Sequence, residues 1–145
     1  MRKSPVLVRA SAACFLASAL AIVAIAQPTD PAPDWSGYAD VEEISAITAD
    51  EDGSARETTI WLAVVDGRGY IRTGNTTWGD NVDRDQAIAV RVEGTEIPVQ
   101  VRFIEDEALR ERIAATFREK YGWSDAMIGI IRGSHPKIMQ LDPPS

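Results

Sequence analysis

The sequence predicts a mostly β domain: a small antiparallel barrel with one or two helices, among them a C-terminal amphipathic helix. Three observations predict it. Strand-length apolar segments are separated by Gly-containing turns, one segment alternates strictly, and the apolar period then changes from two residues to four. Short and numerous antiparallel strands of this kind close on themselves, because closure removes the exposed edges of a sheet.

Four turn signals divide the first half: Asp52-Gly53, Asp66-Gly67, the loop from Gly74 to Gly79, and Glu93-Gly94. Val41 to Thr48 is the first strand, with Val41, Ile44, Ala46 and Thr48 toward one side and an irregularity at Glu42-Glu43. Thr58 to Val65 (TTIWLAVV) is β-branched and aromatic, the composition of a central strand. Tyr70 to Thr73 follows a tight hairpin, and Ala87 to Val92 alternates. In Ile97 to Phe103 every odd position is apolar, so one face is buried and the other is not. Pro98 has no amide donor and marks an edge or a bulge there.

Leu109, Ile113, Phe117 and Tyr121 then recur every four residues, which lines them up on one stripe of an α-helix. Asp106 is placed to cap its start, Glu107 complements the positive end of its dipole, Arg118 and Lys120 complement the other, and Gly122 stops it. Ala126 to Ile131 is apolar without a decisive period, and Lys137 to Leu141 reads as a final strand.

Ahead of this domain, Arg2 and Lys3 precede an apolar run from Ala10 to Ala26 that ends in Ala24-Ile25-Ala26. Residues 1–26 therefore read as a signal peptide with an A-x-A cleavage site. An uncleaved anchor is the alternative, since a run of about 17 residues stands at the lower edge of what spans a bilayer. Residues 27–34 (QPTDPAPD) form a Pro-rich linker, and 35–145 the folded domain. Arg2-Lys3 is not a twin-arginine signal, so the expectation is Sec-type export, to the periplasm or beyond the cell, with no membrane attachment after cleavage.

Cys14 is the only cysteine and leaves with the signal, which removes disulfides, thiol nucleophiles and thiolate metal sites together. Losing Arg2, Lys3 and Arg9 leaves 12 of the 15 basic residues against 22 acidic ones. A domain that acidic repels nucleic-acid backbones and anionic lipid, so neither is an expected partner. His135 is the sole histidine, and no spacing resembles a metal site or a hydrolase triad.

The loop Thr73-Gly74-Asn75-Thr76-Thr77-Trp78-Gly79-Asp80-Asn81 carries the most information. Thr77 with Asp80 three residues on has the form of a capping box, which predicts a short helix. A helix start fed by a Gly-containing loop offers amide donors to an anion, with Arg72 and Arg84 close by in sequence. The alternative is a capped turn over a barrel mouth, with both arginines paired to Asp80, Asp83 or Asp85. Arg56 is either a rim residue reaching a ligand or a solvated turn residue. Trp61 and Trp78 are either packing or a stacking platform, and Trp78 is the harder to explain as core.

The order of parts then becomes informative: Arg56 before TTIW, the Asp66-Gly67 turn, YIRTG, TWGDNV, AIAVRVEG, IPVQVRF and a helix ending REKYG. Over roughly Val41 to Pro143 it resembles the flavin-binding split β-barrel superfamily of pyridoxamine-phosphate-oxidase-like proteins. It is most similar to the deazaflavin-dependent nitroreductase-like branch and its small relatives. Trp78, Asn81 and Val82 match that branch's Trp-x-x-Asn segment, while Asp85-Gln86 stands where Asn-Pro is usual. The resemblance implies a split β-barrel, a homodimer, and FMN or a deazaflavin as cofactor. Its implied contacts are Arg56, Trp61, Arg72, Thr73, Thr77, Trp78 and Asn81, and any hydride chemistry would belong to the cofactor. No catalytic residue declares itself beyond Tyr70 as a proton donor. The alternative is a non-catalytic envelope domain that binds a ligand or partner and has kept the fold.

Overall fold

The structure is a computed structural model and describes residues 33–122 and 135–145. The expected signal peptide and the Ala126–Ile131 segment lie outside the described residues. Seven strands form one antiparallel sheet: β1 (Glu43–Ala49), β2 (Ala55–Trp61), β3 (Ala63–Val65), β4 (Arg68–Thr73), β5 (Ala87–Val92), β6 (Thr95–Phe103) and β7 (Lys137–Asp142). Two helices accompany it, α1 (Thr77–Arg84) and α2 (Glu107–Tyr121). Both Asp66-Gly67 and Glu93-Gly94 have positive φ, the geometry of a two-residue hairpin turn that matches strand twist.

The strand order is β2-β1-β5-β6-β7-β4-β3. Its two ends, β2 and β3, are consecutive in the chain and separated only by Leu62. The single strand expected over Thr58–Val65 is thus two: up to Trp61 it pairs with β1, and from Ala63 it pairs with β4. That break curls the sheet round on itself. Leu62 is fully buried, and α2 serves its backbone there. Its N–H donates to the Tyr121 hydroxyl at 3.1 Å, and its carbonyl accepts from Lys120 Nζ at 3.0 Å. Lys120 also donates to the Val41 carbonyl, at 2.5 Å, so the end of one helix ties the segment leading into β1 to the bend between β2 and β3.

Two cores follow from the alternation of the strands. Ile44, Ala46, Ile60, Ile71, Val90 and Val99 point into the barrel. Ala63, Tyr70, Ile104 and Ile138 point the other way and pack against Ile113 and Phe117 of α2. The helix presents the expected stripe, capped by Asp106, whose carboxylate accepts from the Leu109 amide at 2.7 Å, and closed at Gly122. It is not the C-terminal element, however. β7 comes last, because β6 and β4 would each expose an edge without it, and four consecutive buried residues, Ile138–Leu141, fill that central place.

At the opposite end of the chain, a 3₁₀ turn (Trp35–Tyr38) capped by Asp34 drops Trp35 into the barrel core. Gly69 lies directly beneath the indole, where a Cβ would stand 2.7 Å from the ring. Pro98 behaves as expected of an edge. β6 pairs with β5 through Thr95–Gln100 but with β7 only from Gln100 onward, so Pro98 has one neighbour strand.

Candidate functional site

The candidate residues fall into two places. Arg56, Thr73, Thr77, Trp78 and Asn81 gather at one mouth of the barrel, where α1 lies across the ends of β1 and β4. Trp61 and Arg72 point to the outside of the same barrel, under α2. The alternation of β4 makes the division: Ile71 and Thr73 belong to the interior, whereas Tyr70 and Arg72 belong to the α2 side.

At the mouth the helix starts one residue earlier than its sequence suggests. The N-cap is Thr76, with an extended backbone and a hydroxyl that accepts from the Gly79 amide at 3.2 Å; Thr77 is the first helical residue and is exposed. Thr73 decides the register, because its buried hydroxyl lies 2.6 Å from that of Thr76 and draws it inward. Trp78 is 3% exposed and packs with Val82 in the barrel core, so it is a plug and not a stacking platform.

Asn81 is equally buried, and each of its polar atoms is engaged. Its amide donates to Thr48 Oγ1 at 3.0 Å and to Asp50 Oδ1 at 2.7 Å, while its carbonyl accepts from Arg84 at 2.8 Å. Arg84 also donates to the Ala49 carbonyl. Arg56 forks onto the same carboxylate, with Nε 2.7 Å from Asp50 Oδ1 and Nη2 2.8 Å from Oδ2. Arg56 and Asn81 together hold the Asp50 carboxyl below the usual carboxylate range, and Asp50 in turn raises Arg56 further. Asp50 and Thr48 are absent from the sequence-derived candidates. The Asp52-Gly53 turn was their signal, because the hairpin it closes sets Thr48 opposite Arg56 and leaves Asp50 just beyond.

For the phosphate of FMN or of a deazaflavin, these mouth residues do not fit. The Arg56 charge is already matched by a bidentate carboxylate, the Gly79 amide is taken by Thr76, and the Thr73 and Thr76 hydroxyls bond each other. Arg84 turns to Asn81 and Ala49 and not to Asp80, Asp83 or Asp85; Asp83 pairs with Lys137 instead.

On the α2 side, Trp61 stacks on Tyr121 with ring centroids 4.2 Å apart and planes 3° from parallel. The Arg72 guanidinium sits 4.4 Å from the Phe117 ring centre and 5.9 Å from that of Trp61. This is cation–π packing that braces the helix. Tyr70 is buried there and donates to Gln140 Oε1 at 3.1 Å, so its hydroxyl meets no solvent.

A third feature includes Asn81 alone among the sequence-derived candidates. A groove of about 260 Å³ runs over the outer face of β2, β1 and β5 beside α1. Ile47, Ala49, Ala55, Ala87 and Ala89 make its apolar floor, and Asn81 and Asp85 stand at the α1 end. The register builds it: Ala49 faces Ala55 and Ile47 faces Ala89, so small side chains lie side by side. The alternation that hides Thr48 and Ile88 leaves these small residues outward. Among the described residues no cluster of His, Cys, Asp or Glu has the makings of a metal site, and no helix is long and apolar enough to cross a membrane.

Residues 37–138 match the family described as "Uncharacterized protein conserved in bacteria (DUF2255)". No curated relative matches the sequence. Among solved structures, a conserved hypothetical protein from Mycobacterium tuberculosis superposes with a TM-score of 0.60 at 15% identity, over 75% of this chain and 78% of that one. The heme storage protein HutZ from Vibrio cholerae gives 0.58 at 12% identity, over 72% and 82%. An F420-H2 dependent reductase gives 0.55 at 15% identity, over 70% and 94%. At such identities the likeness is one of fold, the split β-barrel, which this chain shares with these structures.

Proposed function

From the premise that this chain belongs to the DUF2255 family and has the split-barrel fold, we propose that it is a binding protein for a flat conjugated ring of the flavin or deazaflavin class. The observation that carries this reading is the alanine-floored groove beside α1. A planar ring needs an apolar floor without protruding side chains, and four alanines with Ile47 supply one. The relatives in fold that are described as a heme storage protein and an F420-H2 dependent reductase support a ring-shaped ligand.

The groove is small. At about 260 Å³ it falls below the roughly 300–1,000 Å³ of sites that enclose a drug-sized molecule. A second wall is therefore part of the proposal, and a second copy of the chain supplies it, giving a homodimer with the ring between subunits. Export is part of it as well. A chain that crosses the membrane unfolded acquires its ligand outside, where a ring that needs no phosphate contact suffices.

Titration of the mature protein with riboflavin, followed by quenching of the ring's fluorescence, tests the proposal. Saturable binding at one ring per groove, lost in Ala89→Glu, is the expected result. No binding by a folded dimer would remove the reading. An oxidoreductase is the second reading, favoured by the likeness to the F420-H2 dependent reductase; turnover with an artificial electron acceptor would establish it, and binding without turnover leaves the first reading standing.

A further inference from the structure

We infer that Asp50 is a built-in anion: the chain's own carboxylate fills an oxyanion cradle made by Arg56 and Asn81, and the cradle binds an inorganic oxyanion of the phosphate class when that carboxylate is removed. Three N–H groups from two distant parts of the chain converge on Asp50. Arg56 gives Nε at 2.7 Å and Nη2 at 2.8 Å, and Asn81 gives Nδ2 at 2.7 Å. A planar guanidinium fork plus a neutral amide is a donor set that suits a carboxylate and a phosphate alike.

The Asn81 arm of the cradle is also held in place independently of its occupant. Asn81 is buried, its carbonyl is fixed by Arg84 and its second amide hydrogen by Thr48, so its remaining hydrogen points to Asp50 with little freedom. Arg56 leaves a strand residue paired with Thr48. Asp50, by contrast, belongs to the turn between β1 and β2, where its own backbone closes the turn through Ser54 and Gly53. The donors stand on packed elements and the acceptor stands on a loop. Removing the acceptor therefore leaves the Asn81 amide in place beside the Arg56 guanidinium, which has lost its bidentate partner at a half-exposed rim.

The consequence for ligand choice rests on the groove proposed above: a ring with a phosphate tail meets a carboxylate where its phosphate would need a cation. The test does not rest on it, because it uses inorganic phosphate alone. The probe is the melting temperature of the mature protein in sodium phosphate against sodium chloride of equal ionic strength. Asp50→Ala should gain about 5 °C at phosphate tenfold above its dissociation constant, whereas the wild type and Asp50→Ala/Arg56→Ala should not move. Asp50→Ser removes the carboxylate and most of its volume while keeping a polar turn residue, and serves the same test if the alanine variant does not fold. A phosphate response equal in the wild type and the Asp50 variants, or one that survives loss of Arg56, overturns the inference. If phosphate stabilises the Asp50 variants yet riboflavin binds no form of the protein, the cradle stands and the groove reading falls.

Discussion

The barrel is closed at its mouth by α1 and braced on its flank by α2, and the two helices use opposite chemistry. At the mouth, ionised and amide groups satisfy one another around a single carboxylate, Asp50, at a rim that water reaches. On the flank, an aromatic stack and a half-buried hydroxyl hold a strand bend, and the Arg72 guanidinium lies against rings. The mouth is thus specified by charge pairing that a ligand anion could replace. The flank is specified by packing that a ligand could not enter without unfolding the helix contact. Both places contain an arginine and a tryptophan named by the sequence, which shows that residue type alone does not tell a binding rim from a brace.

The largest expected effects test whether the aromatic residues are structural. Phe117→Ala, in the flank core, should cost about 3–5 kcal/mol of unfolding free energy, and Trp78→Ala, in the barrel core, a similar amount. Urea unfolding measures both. Ring affinity of the folded fraction should stay within about twofold for Trp78→Ala, since a core plug does not touch the groove. A selective loss of affinity there would make Trp78 a ligand contact and erase the contrast between plug and groove.

Tyr121→Phe is smaller, about 1–2 kcal/mol, because it removes the hydroxyl that serves the Leu62 backbone and leaves the stack with Trp61. Its pH dependence separates it from a simple packing change. Burial pushes the Tyr121 hydroxyl up from 10 to about 12, so the neutral form is favoured in the folded state. The resulting stability is intact below pH 10 and is lost as pH rises from 10 toward 12. Wild-type protein should therefore destabilise over that window more steeply than Tyr121→Phe, as read from urea midpoints.

At the mouth the sign is reversed. The depressed Asp50 carboxyl contributes stability that is present above the ordinary carboxylate range and lost as pH falls through its folded value. As pH falls from the ordinary carboxylate range through that folded value, the wild type should lose stability more steeply than Asp50→Asn, in which this contribution is already missing, and the two should converge in acid, as read from urea midpoints. Smallest in stability is Ala89→Glu, expected within about 0.5 kcal/mol of wild type because its site faces outward, while ring binding is lost. If this variant binds riboflavin as well as the parent does, the groove is not the site.

Much of the fold was legible because it rests on local signals. Alternation in Ile97–Phe103, the four-residue stripe of α2 and the Asp66-Gly67 and Glu93-Gly94 turns all act within a few residues, and each gives the expected element. The break at Leu62 was not legible, because TTIWLAVV is uniformly strand-forming and the break depends on Lys120 and Tyr121, about sixty positions away. The candidate site divides in the same way. Arg56 and Asn81 do meet, through Asp50, but Trp61 and Arg72 lie on the other face of the sheet, which only strand register decides. The groove was hidden for another reason: alanines carry no chemistry, and their value lies in the flatness that pairing Ala49 with Ala55 and Ile47 with Ala89 creates.

The central claim is that the groove accepts a ring while Asp50 occupies the place of its anion, and the ratio of riboflavin to FMN affinity in wild-type protein tests it most directly. FMN should bind no more tightly than riboflavin, within about threefold, and added inorganic phosphate should compete with neither. FMN binding about tenfold tighter than riboflavin, with phosphate as its competitor, would contradict it.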